Sequence, residues 1–129
     1  MENNNELEKP IGTKEQPKLA AGSVTVKTVE IKPAKEGSKA KIVKFGCKHP
    51  DKEELIILSN VLIKSIQGQN LSIKKDALWH NLDDEGNIRK NSVLAEVMRF
   101  YKKSTLNEFK ESVLTTEQDV SGYLAIKAY

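Results

Sequence analysis

Cysteine occurs once in the 129 residues, at position 47, which excludes an intramolecular disulfide framework and fits a reducing, cytoplasmic setting. Aromatic side chains make up only 5% of the chain, so ring platforms for a ligand are few and each matters. No run of about 18 apolar residues occurs, which excludes a membrane-spanning helix. The start MENNNELEKP lacks the basic opening and apolar core of a secretory signal, and its acidic residues disfavour a transit peptide. The seven glycines are scattered, so no glycine-rich phosphate loop is present. With two histidines in all, Cys47 and His49 form a C-x-H pair that nothing completes into a tetrahedral zinc site. The segment from Asn81 to Ser92 has some calcium-loop spacing, but it ends in Ser92 where a bidentate Glu is needed, and a turn is the better reading. No Ser, His and Asp arrangement and no carboxylate pair in an apolar setting can be proposed from spacing. A non-catalytic protein without cofactor or metal is therefore expected.

What is present is a chain long enough for one domain with one core, ordinary in its 38% hydrophobic and 30% charged content. The formal charge of +3 is mild, but it is unevenly spread. Residues 1–22 hold three Lys against four Glu, few large apolar side chains, two Pro and two Gly. That composition cannot offset the entropy of ordering, so a disordered tail is expected, either a solvated leader or an arm that docks on a protein partner. Between Lys27 and Lys48, by contrast, seven Lys face only Glu30 and Glu36. Such a cluster attracts phosphates or acidic partners whatever the fold, although many charge runs are no more than a solvated face.

Three β-like runs, SVTVKTVEI, KAKIVKFGCKH and EELIILSNVLIK, are separated by KPAKEGS and PDK, which have turn composition. In the first run Val24 and Val26 are out of phase with Val29 and Ile31, which predicts a bulge near Lys27 and Thr28. In the second, Val43, Phe45 and Cys47 share a face opposite Ile42, Lys44 and Lys48. The third has apolar residues on both faces and is expected to lie centrally. Gln67 to Lys75 reads as a polar loop with short extended pieces. A small hairpin is predicted next, Leu78 to Leu82 against Ile88 to Lys90 around Asp83 to Gly86. Ser92 then caps a helix whose apolar stripe is Val93, Leu94, Val97, Met98 and Tyr101. Thr105 and Glu108 have capping-box spacing for a further short turn. Two strands, ESVLTTEQ and GYLAIKAY, close the chain around Asp119 to Gly122.

The expected fold is mainly β with one main helix. Three strands, an added hairpin, a helix and two strands over residues 23–129 resemble the OB-fold, a small five-stranded barrel with its helix between the third and fourth strands. An open α+β sheet is the competing architecture. The resemblance implies binding of single-stranded nucleic acid, DNA more than RNA, on strands two and three and the adjoining loops. The residues then expected to hold phosphates are Lys32, Lys35, Lys39, Lys41, Lys44, Lys48 and Lys127. Tyr123, Tyr129 and Phe45 would stack bases, although Phe45 also lies on the core phase. Trp79 reads as an anchor sealing the barrel end, and Cys47 as a small core residue. The alternative from another class is a protein-interaction module that offers a sheet edge and the N-terminal tail.

Overall fold

The computed structural model describes residues 19–129; the expected tail falls largely outside them. Seven strands form one sheet: β1 Ser23–Pro33, β2 Lys41–Lys48, β3 Ile56–Leu58, β4 Asn60–Gln67, β5 Asn70–Ala77, β6 Val113–Gln118 and β7 Leu124–Ala128. The order is β3-β2-β1-β6-β7-β4-β5. β4 and β7 run parallel, and the other neighbouring pairs are antiparallel. β3 and β4 stand far apart in that order, yet only Ser59 separates them in the chain. The sheet therefore curls into a half-barrel. The chain leaving β5 helps to close it: Leu78 N–H donates to Ser59 O at 2.9 Å and Val43 N–H to Leu78 O at 2.8 Å.

The curl begins in β1. The register slips between Val26, opposite Cys47, and Thr28, opposite Gly46, which leaves Lys27 as the extra residue of a bulge. That single residue restores the phase, so Val29 and Ile31 pair with Phe45 and Val43 on the same face as Val24 and Val26. Any larger residue opposite the bulge would force the Thr28 side chain to move. A Cβ on Gly46 would stand 2.2 Å from Thr28 Oγ1, well inside any contact distance.

The inner face is apolar at the expected positions: Val43, Phe45 and Cys47 are fully buried, as are Val61 on β4, Leu114 on β6 and Ile126 on β7. Helix α1, Val93–Phe100, closes one side of this core with Leu94, Val97 and Met98. Its N-cap forms as its sequence dictates, Ser92 Oγ accepting from Ala95 N–H at 3.1 Å. A 3-10 turn at Leu106–Phe109 follows and buries Phe109 against Phe45 with ring centroids 4.9 Å apart. Its capping box is displaced, for Thr105 makes no side-chain cap and Glu108 accepts from Ser104 N–H instead.

Two expectations about strands are corrected. The count is seven and not five, because the third run breaks at Ser59 and the polar Gln67–Lys75 stretch forms most of a full edge strand. β4 and β5 are paired from Asn60–Ala77 to Gln67–Asn70, and the turn rests on Gly68, whose φ of 64° suits glycine. β5 reads as a loop because most of its residues face solvent, leaving no apolar alternation to detect. The hairpin expected after it shrinks to a single bridge, Leu82–Ile88. The turn itself is where it was predicted, with Gly86 N–H on Asp83 O at 3.0 Å.

Candidate nucleic-acid interface

Because β2 alternates, its lysines divide by parity: Lys44 and Lys48 share the outward phase with Ile42, while Lys41 escapes the core only by standing at the strand's end. On β1 the outward residues opposite them are Lys32, paired with Ile42, and Glu30, paired with Lys44. Lys32 Nζ lies 3.3 Å from Glu30 carboxylate, both half exposed. Glu30 thus stands among Lys32 and Lys44, and Glu36 stands in the loop with Lys35 and Lys39. The loop holding Lys35 and Lys39 is tied at its base by Ala34 N–H to Ala40 O, 2.9 Å, and by Ala40 N–H to Ser38 Oγ, 3.1 Å.

The other side of β2 supplies what the sequence reading assigned elsewhere. Residues 78–80 pair with Lys41–Val43, through the bridge Ile42–Trp79 and His80 N–H to Lys41 O at 2.9 Å. Leu78 is fully buried, and strand alternation turns Trp79 outward, 38% exposed. The row across the outer face is therefore Lys32, Ile42, Trp79. Trp79 is thus a partly exposed aromatic side chain on the outer face that also carries Lys32 and Lys44. Its signal was available in the sequence only as a tryptophan one residue from a buried leucine.

Other candidates separate from this group. Phe45 is fully buried and packed on Phe109, so its ring is not a platform and that expectation is withdrawn. Lys48 stands at the far end of β2, opposite Thr25, roughly 23 Å from Lys41 at about 3.3 Å per residue. Its ammonium donates to Lys52 O. Tyr123, Lys127 and Tyr129 share the outward phase of β7, which pairs with β6 and β4 and not with β1 or β2. Tyr123 is 62% exposed. Tyr129 has Lys127 Nζ 4.9 Å above its ring and gives its hydroxyl hydrogen to Glu117, whose carboxylate raises the phenol's pKa. The ten expected residues therefore fall into a β1–β2 group, a β7 group, the buried Phe45 and the outlying Lys48.

A recess of about 440 Å³ opens beside the first group, lined by Lys39, Ala40, Lys41, His80, Asn81, Leu82 and Arg89. Its field is visible in His80, whose pKa is lowered first by partial burial and then by the Lys41 charge. Among the described residues no acidic side chain lines it. His49, by contrast, is spent on structure: buried, it accepts Asp51 N–H at Nδ1 and so donates from Nε2 to Ala20 O at 2.9 Å. Among the described residues no group of three His, Cys, Asp or Glu side chains is placed to hold a metal. No helix of the described residues is long and apolar enough to cross a membrane. No known family model matches the chain, and neither a curated protein nor a solved structure does.

Proposed function

We propose that this chain is an OB-type barrel that binds single-stranded nucleic acid, DNA in preference to RNA, without catalysis and with weak sequence preference. The strand order supports the fold: with β3 and β4 taken as one strand bent at Ser59, the ring runs first, second, third, fifth, fourth and back to first. That is a five-stranded Greek-key barrel whose helix precedes the fourth strand, and β5 is an addition at its rim. The observation that carries the function is Trp79, partly exposed on an outer face shared with Lys32 and Lys44. An indole stacks on any base, and ammonium groups around it neutralise phosphates on either side. Lys35, Lys39 and Lys41 extend the cationic edge along the β1–β2 loop. Sequence preference is weak because few Arg, Asn or Gln side chains stand on this face to read base edges. Tyr123, Lys127 and Tyr129 serve a longer strand that wraps toward β7. A cytoplasmic location accords with the single, buried thiol.

The test is fluorescence anisotropy with labelled single-stranded and duplex oligonucleotides, comparing the wild type with Lys39→Glu/Lys44→Glu. The reading expects single strands to bind preferentially and the charge reversals to remove most of that binding. Equal binding by the variant would defeat it. A second reading rests on β5, which among the described residues is an edge strand paired on one side, with Leu71 and Ile73 exposed on it and Ile66 exposed across from Leu71. Such an edge suits addition of a strand from a protein partner. In that case partner capture survives the two lysine substitutions.

A further inference from the structure

We infer that a bound single strand continues past Trp79 into a second groove on the helix side of the barrel, where Lys90, Arg99 and Lys103 hold its phosphates. The inference rests on the nucleic-acid reading above and gives that strand a path which the OB resemblance alone does not. The groove encloses about 730 Å³ between α1, the Ser104–Asn107 segment after it, and the Leu82–Lys90 segment. It shares His80 and Leu82 with the recess beside Lys39 and Lys41. The two thus adjoin, and the inferred strand runs from one to the other in a track that begins one residue from Trp79.

Charge decides what the track accepts. Lys39, Lys41 and Arg89 line its first part, Lys90, Arg99 and Lys103 its second, and among the described residues no carboxylate lines either. Three acids stand next to the track: Asp83 shares a neighbouring recess with Arg89 and Lys90 and accepts from Glu85 N–H at 2.9 Å and Asn87 N–H at 3.0 Å, Glu108 accepts from Ser104 N–H at 3.0 Å, and Glu96 shares a recess with Arg99 on the far side of the helix. Six cations along one trough create a field that concentrates a polyanion, and a phosphodiester backbone matches their linear spread better than a single anion does.

Local structure explains why these side chains converge. α1 ends in a Schellman turn: Lys102 takes φ 59°, with its N–H on Arg99 O at 3.1 Å and Lys103 N–H on Met98 O at 2.8 Å. This reversal folds Lys103 back beside Met98 at the groove wall. The last carbonyls of the helix are thereby satisfied by backbone, and the cations remain available to a ligand. Arg99 Nη1 donates to Lys90 O at 2.9 Å, which fixes the guanidinium across the boundary between helix and loop. Among the described residues no Phe, Tyr or Trp ring lines the groove, His80 being its one imidazole, so bases have no large platform there. Asn87, Ser104, Thr105 and Asn107 offer polar groups suited to phosphate and sugar. The groove should add affinity with strand length, independent of sequence.

The experiment compares oligothymidylates of about 4 and about 16 nucleotides, spanning the site sizes of single barrels, by anisotropy and Trp79 emission at several salt concentrations. Wild type, Arg99→Gln/Lys103→Gln and Arg99→Glu/Lys103→Glu are measured, the Gln pair standing in should charge reversal disturb the fold. The short strand is expected to bind all three alike. The long strand should bind the wild type more tightly. The Gln pair should lose most of that gain, and its salt slope should fall by about 1.4, at about 0.7 per single-strand phosphate. An unchanged long-strand affinity and slope in the Gln pair overturns the groove while leaving the Trp79 face intact. Loss of the short strand as well overturns it too, by making these residues part of the primary contact. Failure of the wild type to bind either strand refutes the underlying reading and the groove with it.

Discussion

Replacing Trp79 by leucine removes the indole while keeping an apolar side chain against Ile42, so it separates stacking from folding. The segment's place in the barrel rests on main-chain bonds that the substitution leaves intact, His80 N–H to Lys41 O at 2.9 Å and Val43 N–H to Leu78 O at 2.8 Å. Trp79 is already 38% exposed, and its loss opens no enclosed cavity, so the cost in stability should stay well below the 3–5 kcal/mol typical of emptying a buried aromatic site. Binding is another matter. A stacked base contributes about 1–3 kcal/mol by ring removal, which corresponds to a Kd weaker by about 5- to 150-fold. The slope of log K against log salt should not change, because no phosphate contact is removed. Anisotropy of a labelled single strand measures both, with thermal denaturation as the control, and Trp79→Tyr should recover much of the affinity. A folded Trp79→Leu protein that binds within twofold of the wild type would refute the stacking role.

Three further outcomes follow from the same structure. His80 has a pKa below the ordinary histidine value because burial and Lys41 disfavour its charged form; a polyanion in the track reverses that penalty, so strand binding should take up a proton and tighten as pH falls from about 7.5 through the histidine range near 6.5. Without ligand the sign is opposite: the unfolded chain binds the proton more readily, so stability contributed by neutral His80 is present above that range and declines below it, and His80→Gln should flatten both profiles. Cys47 is fully buried and its thiol is pushed up to about 12 by burial, so alkylation at neutral pH should be negligible in the folded protein and rapid in denaturant. Phe109→Ala removes a fully buried ring packed on Phe45 with centroids 4.9 Å apart and should lower unfolding stability by about 3–5 kcal/mol in chemical denaturation.

The elements legible in the sequence were those whose side chains alternate between core and solvent. Val43, Phe45 and Cys47 announced the inner face of β2, the phase slip around Lys27 announced the bulge, and Ser92 with its apolar stripe announced α1. β5 escaped notice because an edge strand bathed in solvent has no reason to alternate. The break at Ser59 escaped because β3 and β4 differ in their partners and not in their composition. At the candidate site the lysine cluster was visible, but its grouping was not. Register places Lys44 beside Lys32 and leaves Lys48 at the other end of the strand, a distinction that residue counts cannot carry. In the sequence Trp79 reads as an anchor because lone tryptophans in small domains usually pack. Only the bridge to Ile42, after a buried Leu78, turns it outward. Arg89, Lys90, Arg99 and Lys103 are unremarkable as individual surface cations in the sequence, and they become a group only through the turn at Lys102 and the path of residues 80–90.

Trp79 is the single tryptophan of the chain, and its emission reports directly on the face proposed to receive a base. Titration of the unlabelled wild-type protein with an unlabelled single strand at low salt should quench that emission saturably, and added salt should restore it as phosphate contacts are released. Emission unmoved at strand concentrations that anisotropy shows to be saturating would contradict the placement of the strand on this face.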